Sequence, residues 1–510
     1  MGSLKEDLTG PGVELVETHT AWVFLGQGTV WKVKKPVDFG FLDFTTLERR
    51  KATCEAELRL NARLSPGVYR DVVPVTQTPD GQHRIGGSGT IVDYAIRMVR
   101  LPDDARADTR LAEGRLGGAE IERLAVHLAR FHDRVGSSET SARFGTPEVI
   151  LANVRENFAQ GGEASRALVG ARDAKEIERD QTEFVEKHRD LLNERIENGR
   201  IRDGHGDLRL EHVYFDSKTE PTIIDCIEFN DRFRYADVCS DIAFLSMDLE
   251  RAGRSDLAER FLAAYARESG DYQLYELVDF YEAYRAYVRG KVSSLLARDE
   301  GVPFDARERA RKEARSLFLL SLLEGRQSIL RPAVVAVGGV IASGKSTVAS
   351  EIGVIMGAPV IDADRTRKAL ARVAPTAPLA EAPWAGAYAP EMTARVYAEV
   401  LRRARSVLSS GRAVVLDASF RSRDLRALAR ELARAQDVPF YFVECRASIQ
   451  DCRKRLAERA RSASVSDGRA EIFDQFVAKF EPVTELPAAD HLVVDTTLPI
   501  ENNVARLRRE

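Results

Sequence analysis

The feature that most constrains this chain is the run Gly339-Val-Ile-Ala-Ser343-Gly344-Lys345-Ser346-Thr347. It follows an apolar stretch, Ala333-Val-Val-Ala-Val337, and precedes a helical pattern over residues 346–356. A buried strand, glycines at Gly-x-x-x-x-Gly-Lys-Ser spacing and a helix start together specify a phosphate-binding loop. Backbone N–H groups of the turn and of the helix N-terminus converge on an anion. Gly339, Ser343, Gly344, Lys345, Ser346 and Thr347 are therefore the nucleotide-binding candidates. Lys345 reaches the outer phosphate oxygens, and Ser346 helps to hold magnesium. A plain glycine turn would leave the complete motif and its context unexplained.

Around this loop, strand-like runs alternate with helical ones. Pro359-Val-Ile-Asp-Ala-Asp364, Ala413-Val-Val-Leu-Asp417, Pro439-Phe-Tyr-Phe-Val443 and His491-Leu-Val-Val-Asp495 bring the strand count to five. Strands separated by helices imply a parallel three-layer sheet with ligands at the C-terminal strand ends. Asp364 and Asp417 fall at such ends, with Arg367 and Lys368 just beyond Asp364. This half resembles the P-loop small-molecule kinases of the gluconate-kinase and adenylylsulfate-kinase kind. The resemblance implies that Asp364 binds or deprotonates the acceptor, that Arg367 holds it, and that Asp417 serves the magnesium site. Arg455 and Arg459 lie four apart, on one helix face. They resemble a lid closing on ATP, and a solvated pair is the competing reading; Arg453 and Arg461 have weaker claims.

The other half centres on His205-Gly206-Asp207-Leu-Arg-Leu-Glu-His212-Val-Tyr-Phe-Asp216 and Thr222-Ile-Ile-Asp225. A turn with an exposed carboxylate, a strand, a polar turn at Pro221 and a second strand form a hairpin. That geometry lets Asp207 and Asp225 face one pocket. Phosphoryl transfer uses such a pair, one carboxylate for the attacking hydroxyl and one for magnesium, although aspartates in turns more often cap the backbone. The pattern resembles the aminoglycoside phosphotransferase family, the small-molecule branch of the protein-kinase-like fold. That family has His-Gly-Asp, four residues and Asn, then a later hydrophobic-Asp. His205, Gly206, Asp207 and Asp225 match, so the resemblance gives Asp207 the catalytic role and Asp225 the metal. His212 stands in place of Asn. A neutral imidazole is a weaker partner for hard magnesium than an amide oxygen. One metal is then lost, or held differently with His212 as a ligand, or His212 hydrogen-bonds Asp207. Asp237 and Asp241 are similar to a structural Asp-x-x-x-Asp and read as loop supports.

Upstream, Thr20-Ala-Trp-Val-Phe-Leu25, the turn Gly26-Gln-Gly28 and Val30-Trp-Lys-Val-Lys34 read as a hairpin. Lys32 and Lys34 share a strand face by the two-residue period. They are either solvated edge lysines or, by the resemblance, one of them reaches the ATP phosphates. Lys32 is preferred, partnered by Glu57, or else Glu55, on a helix over residues 47–64. Asp38-Phe39-Gly40 spells the protein-kinase metal motif but precedes the catalytic loop, so it reads as loop chemistry. The run Lys34 to Phe44 resembles a bacterial subgroup of these phosphotransferases often fused to a P-loop domain. Further strands are expected at 72–75 and 90–99, and helices through 117–200 and 257–324. His127 and His132 read as surface or packing residues. Tyr281, Tyr284 and Tyr287 form a core stripe or a substrate wall; Arg285 and Lys291 share that ambiguity.

With 510 residues the chain exceeds one ordinary core. A break near 324–332 divides it into domains 1–328 and 329–510. The first is expected to be an α+β, kinase-like bilobal domain with an antiparallel sheet and a helical lobe. The second is an α/β P-loop domain with a five-stranded parallel sheet. With 75 basic and 79 acidic residues the net charge is −4, which gives no electrostatic case for nucleic acid or an anionic membrane. No apolar run has the length of a membrane span, and the start lacks a signal peptide's apolar segment. Five scattered cysteines fit buried thiols in a reducing cytoplasm. The sequence thus reads as a bifunctional ATP- and magnesium-dependent kinase acting on small-molecule hydroxyl acceptors (sugar, aminocyclitol or aminoglycoside-like). It carries no signature of an oligomeric state. The alternatives are a regulatory or ATP-hydrolysing P-loop module, and polynucleotide end processing, which the acidic balance disfavours.

Overall fold

The computed structural model describes residues 3–40, 42–215, 220–322, 331–379, 384–459, 464–499 and 501–503. They form two compact units, residues 1–252 with 281–321, and residues 253–280 with 322–510.

In the first unit, six strands make an antiparallel sheet: β1 (Glu14–Glu17), β2 (Ala21–Leu25), β3 (Thr29–Lys34), β4 (Tyr69–Gln77), β5 (His83–Ile85) and β6 (Thr90–Val99), in the order β1-β2-β3-β6-β4-β5. The pleat of β3 sends Val33 into one apolar cluster with Phe24, Val75 and Ala95. Val30 goes to the opposite cluster with Cys54, Ile96 and Met98. Lys32 and Lys34 share the face of Val30, and Cys54 belongs to the helix Leu47–Asn61, so the alternation aims both lysines at that helix. Thr46 caps the helix by accepting from the Arg49 N–H.

The rest of this unit is largely helical, including Gly118–Val135, Pro147–Val169, Ala171–Lys187, Val238–Arg251 and Phe304–Leu320. Two short ladders interrupt it: β7 (Ile201–Asp203) pairs with β10 (Tyr235–Asp237), and β8 (Val213–Tyr214) with β9 (Thr222–Ile223). The hairpin between Asp207 and Asp225 is thus shorter than the sequence pattern suggests. Residues Leu210–His212 form a 3-10 turn ahead of β8, and Asp225 leaves the ladder with φ of +66°. Asp216 lies outside the described residues. Tyr281 and Tyr287 are buried, the latter packed between Phe158 and Phe318.

The second unit is built on a five-stranded parallel sheet, β12-β13-β11-β14-β15, from β11 (Val334–Gly338), β12 (Val360–Asp362), β13 (Val414–Asp417), β14 (Phe440–Arg446) and β15 (His491–Asp495). Val335, Val337, Val348, Ile352, Val415 and Val443 meet in its core. Such β-branched, continuously apolar strands are what a sheet covered on both faces demands. Residues 253–280, which precede the expected break at 329, belong to this unit. The Tyr272 hydroxyl donates to the Val360 carbonyl at 2.7 Å. Arg412 pairs with Glu259 at 2.8 Å and with Asp279 at 2.9 Å. The expected break falls mostly on residues 323–330, outside the described residues. All five cysteines are buried and free. Among the described residues, no helix is long and apolar enough to cross a membrane.

Candidate active sites

At the first site, Gly206 has φ of +86°, and a Cβ there would meet the Phe233 carbonyl oxygen at 2.8 Å, so only glycine suits the turn. Asp241 clamps this turn by accepting from the N–H groups of His205 and Gly206, each at 2.8 Å. The His205 ring donates through Nε2 to the Ile224 carbonyl at 2.9 Å and accepts the Asp207 N–H on Nδ1 at 3.3 Å. Burial lowers the His205 pKa and keeps that ring neutral. Asp241 is braced in turn by the buried His132 at 3.1 Å, and Asp237 by the buried Arg195. The two acids thus serve as structural supports.

Asp207, Asp225, Lys32 and Glu57 converge. Lys32 Nζ lies 2.5 Å from Asp225 Oδ1 and 2.8 Å from Glu57 Oε1. Lys34 lies deeper, 2.5 Å from both Glu57 and Glu228. Glu57 is fully buried between the lysines, whereas Glu55 sits on the exposed face beside Lys51. Burial alone would raise the Asp207 carboxyl, but Arg209, His212 and Arg289 outweigh it and hold the group well below its usual range. Lys32 and then His212 do the same for Asp225. His212 donates from Nδ1 to the Asp207 backbone carbonyl at 2.8 Å and accepts from Arg209 on Nε2 at 3.2 Å. Burial, then Arg209, pushes its pKa down to about 4. Of the three readings for His212, the hydrogen-bonded one is the geometry present.

At the second site, β11 runs into the glycine loop. A Cβ on Gly339 would stand 2.5 Å from the Cys445 carbonyl oxygen, and one on Gly344 would stand 3.0 Å from Thr496. Lys345 donates to the Val340 carbonyl at 2.8 Å. Asp417, at the end of β13, faces Lys345 and Ser346. A cavity of about 140 Å³ is lined by Lys345, Ser346, Thr347, Asp364, Arg367 and Asp417 among others. Asp364 lies in the first turn of the helix Ala363–Leu370 rather than on the strand, because Asp362 caps that helix by accepting from the Arg365 N–H at 2.7 Å. Arg367 is buried, donates to the Ala387 carbonyl at 3.0 Å and lies 4.7 Å over the Tyr388 ring. Arg459 lines the cavity. Arg455 is instead committed to backbone carbonyls, donating to Ala342 of the loop at 3.2 Å and to Thr496, just after β15, at 2.5 Å. Arg453 pairs with Asp474, and Arg461 lies outside the described residues.

Several groups escape sequence reasoning. Asp362 stands in register with Asp417 across β12 and β13, and burial, then Asp417 and Asp364, raises its pKa to about 7. Its only sequence signal is the alternate position two before Asp364. Arg209 and Glu228 had a faint one, lying two and three residues after Asp207 and Asp225. Arg421 and Trp384, which also line the cavity, had none. For magnesium, no cluster of three or more ligating side chains occurs among the described residues. A phosphate-bridging magnesium needs only one or two protein oxygens, and the Ser346–Asp417 pair fits that donor set. So does the Asp225 carboxylate, whereas both ring nitrogens of His212 are occupied.

The family described as "Phosphotransferase enzyme family" matches residues 40–281, and the one described as "AAA domain" matches residues 334–483. The chain is 33% identical over 469 residues to an uncharacterized protein of Mycobacterium tuberculosis, spanning 92% of this chain and 90% of that one. A Mycobacterium bovis protein matches equally well. Among solved structures, it is similar to a choline/ethanolamine kinase family protein from Mesorhizobium loti (14% identity, 62% of this chain, 93% of that one, TM-score 0.34). It is also similar to a gluconokinase from Sinorhizobium meliloti (22% identity, 36% and 95%, TM-score 0.26). Fold, sites and matched families together define a kinase, an ATP-using phosphotransferase with an alcohol group as acceptor. Within that class, the chain belongs to the phosphotransferase enzyme family, with a P-loop domain following in the same chain.

Proposed function

We propose that both halves are active, magnesium-dependent kinases, each moving the γ-phosphoryl group of ATP to a hydroxyl of a sugar, aminocyclitol or aminoglycoside-like molecule. The first activity is assigned to residues 1–328 and the second to 329–510, and the compartment to the cytoplasm, where ATP is supplied and free thiols persist. The observation that carries this reading is that each unit holds its own lysine-and-carboxylate set, Lys32 with Asp225 and Asp207, and Lys345 with Asp417 and Asp364.

At the first site, Asp207 is held ionised, so it accepts a hydrogen bond from the attacking hydroxyl and takes its proton as the O–P bond forms. Arg209 and the His205–Asp241 clamp fix its direction. Lys32, steered by Glu57, turns its charge to the phosphate oxygens. At the second site, Lys345 and the loop amides stabilise charge developing on the transferred group. Asp364 serves the acceptor hydroxyl, Arg367 holds the acceptor, Arg459 closes over the nucleotide and Arg455 keeps the loop in place. Asp225 and Ser346 with Asp417 would hold magnesium, which neutralises phosphate charge when bound.

The test is mass-spectrometric detection of phosphorylated products from a panel of hydroxylated metabolites and aminoglycosides, using wild type, Asp207→Ala and Lys345→Ala. Each substitution should cut its own site's transfer by about 100-fold or more and leave the other. Loss of both activities from either folded variant would sink the two-site reading, as would failure of either half to bind ATP with magnesium at millimolar levels. Lys345-dependent ATP hydrolysis without product would make the second half a regulatory module. Salt-dependent oligonucleotide binding would point to end processing.

A further inference from the structure

We propose that Tyr272 and Arg403 are positioning residues of the second site, through which residues 253–280 set the helix that presents Asp364 and Arg367 to the acceptor. This rests on the kinase reading of that site and adds the residues that fix its acceptor geometry. The helix Ala363–Leu370 has eight residues, too few to hold a direction by its own hydrogen bonds. Its orientation therefore comes from what it touches. Asp364 and Arg367, three positions apart, share the face that lines the cavity. Arg365 and Thr366 turn away from that face, and their partners lead to residues 253–280.

That segment consists of the helix Ser255–Ser269 and the 3-10 turn Tyr272–Glu276. One arginine closes its two ends: Arg412 donates to both oxygens of Glu259 and to both oxygens of Asp279. Between these ends, the Glu268 carboxylate lies 3.6 Å from the Arg365 guanidinium. Tyr272 is buried, and its hydroxyl holds the Val360 carbonyl, two residues ahead of Asp362. Burial pushes the Tyr272 pKa up to about 12, so the hydroxyl keeps the proton that it donates. The Arg403 guanidinium, on the helix Pro390–Ser409, stands 5.5 Å from the Tyr272 ring centroid and donates to the Thr366 hydroxyl at 3.3 Å. Thr366 donates in turn to the Asp362 carbonyl at 2.8 Å. The turn from β12 into the helix is thus pinned at Val360 and at Thr366, and Asp364 sits between the pins. Thr366 and Arg403 are buried, so water does not compete for these bonds. A misplacement of about 1 Å at a reacting group costs about 100-fold in rate. Residues 253–280 fall within the match to the phosphotransferase family, residues 40–281. Residues 329–510 carry the chemistry of the second site, and a stretch of the preceding family braces it.

The test compares the full chain with Tyr272→Phe, Arg403→Gln and Arg403→Lys, each with ADP and magnesium. Hydrogen–deuterium exchange over residues 363–370 should quicken about fivefold or more in Tyr272→Phe and in Arg403→Gln, the effect of one buried hydrogen bond. Exchange over residues 345–356 and the ADP affinity should each stay within about twofold, and Arg403→Lys should recover part of the protection. Unchanged exchange over 363–370 in both Tyr272→Phe and Arg403→Gln overturns the proposal. So does exchange that quickens equally in both helices, the mark of a purely structural role. If Arg403→Gln fails to fold, Tyr272→Phe, which removes only a hydroxyl, decides the matter alone. Transfer is followed with D-glucose, streptamine and kanamycin, one probe for each acceptor class. In Tyr272→Phe the acceptor KM should rise about fivefold or more while the ATP KM stays within about twofold. A rise confined to the ATP KM overturns the proposal. No Lys345-dependent transfer in wild type, with the local exchange response present, sinks the kinase reading and leaves the brace standing.

Discussion

At the first site every acid has a cation beside it: Asp225 has Lys32, Asp207 has Arg209, and Glu57 and Glu228 share Lys34. At the second, Asp362, Asp364 and Asp417 crowd one another, with Lys345 turned toward the Val340 carbonyl. Burial pushes the carboxyls of Asp207, Asp225, Asp362 and Asp417 upward. Neighbours then decide the outcome: Asp207 and Asp225 end well below their usual range, while Asp362 ends at about 7 and Asp417 is raised. Identical side chains in the two sites are thus shifted in opposite directions, because the first site sets a cation beside each acid while the second crowds its acids together. The first site is an ionised, preassembled network. The second gathers its acids with fewer cations among them.

The sharpest way to break this comparison is to remove a cation from the first network. Lys34, Glu57 and Glu228 are all nearly inaccessible to solvent. Lys34→Met leaves both glutamates buried with only Lys32 near Glu57, and unpaired buried charge costs about 3–5 kcal/mol. Urea unfolding should show a loss of that size. A loss under about 1 kcal/mol would mean that the network is solvated and the contrast false.

A smaller effect separates the sites by pH. His212 has a folded pKa of about 4 against an ordinary 6.5, so the unfolded chain binds its proton first as pH falls. The stability associated with the neutral ring is complete above 6.5 and is lost progressively down to about 4. From pH 7 to pH 5 the loss amounts to about 2 kcal/mol. His212→Asn removes the titration, so its melting temperature should fall less than that of wild type over this range. Parallel curves for the two proteins would show that the ring is not held neutral by its surroundings.

Much of this was legible in the residues. The shared face of Lys32 and Lys34 follows from strand periodicity, the choice of Lys32 with Glu57 from the family resemblance, and the glycine loop from motif and context. What stayed hidden depends on tertiary register. Asp362 gains meaning only because β12 pairs beside β13 and sets it against Asp417. Arg421 and Trp384 are 37 positions apart and meet only when the sheet is assembled. Arg455 fits a helix face in the sequence, but the fold spends it on Ala342 and Thr496. Residues 253–280 read as a continuation of the first helical region, and the Tyr272–Val360 hydrogen bond with the pairing of Glu259 and Asp279 to Arg412 reveals which core they join.

The smallest predicted effect completes the comparison from the other side. The folded pKa of Asp362 is raised from 3.8 to about 7, so here the folded state holds the proton and the unfolded chain releases it first. The stability that this group contributes is complete below 3.8 and is lost as pH rises through about 7. Asp362→Asn mimics the protonated form at every pH and keeps an amide oxygen to cap the helix at Arg365. The variant should therefore melt above wild type, and its advantage should grow between pH 6 and pH 8 by about 1 kcal/mol, a few degrees for a domain of this size. The direction is what matters: removing charge weakens the first network and strengthens the second. An advantage that stays flat between pH 6 and pH 8 would show that Asp362 is already ionised among its neighbours, and the two sites would then differ in sequence but not in electrostatic design.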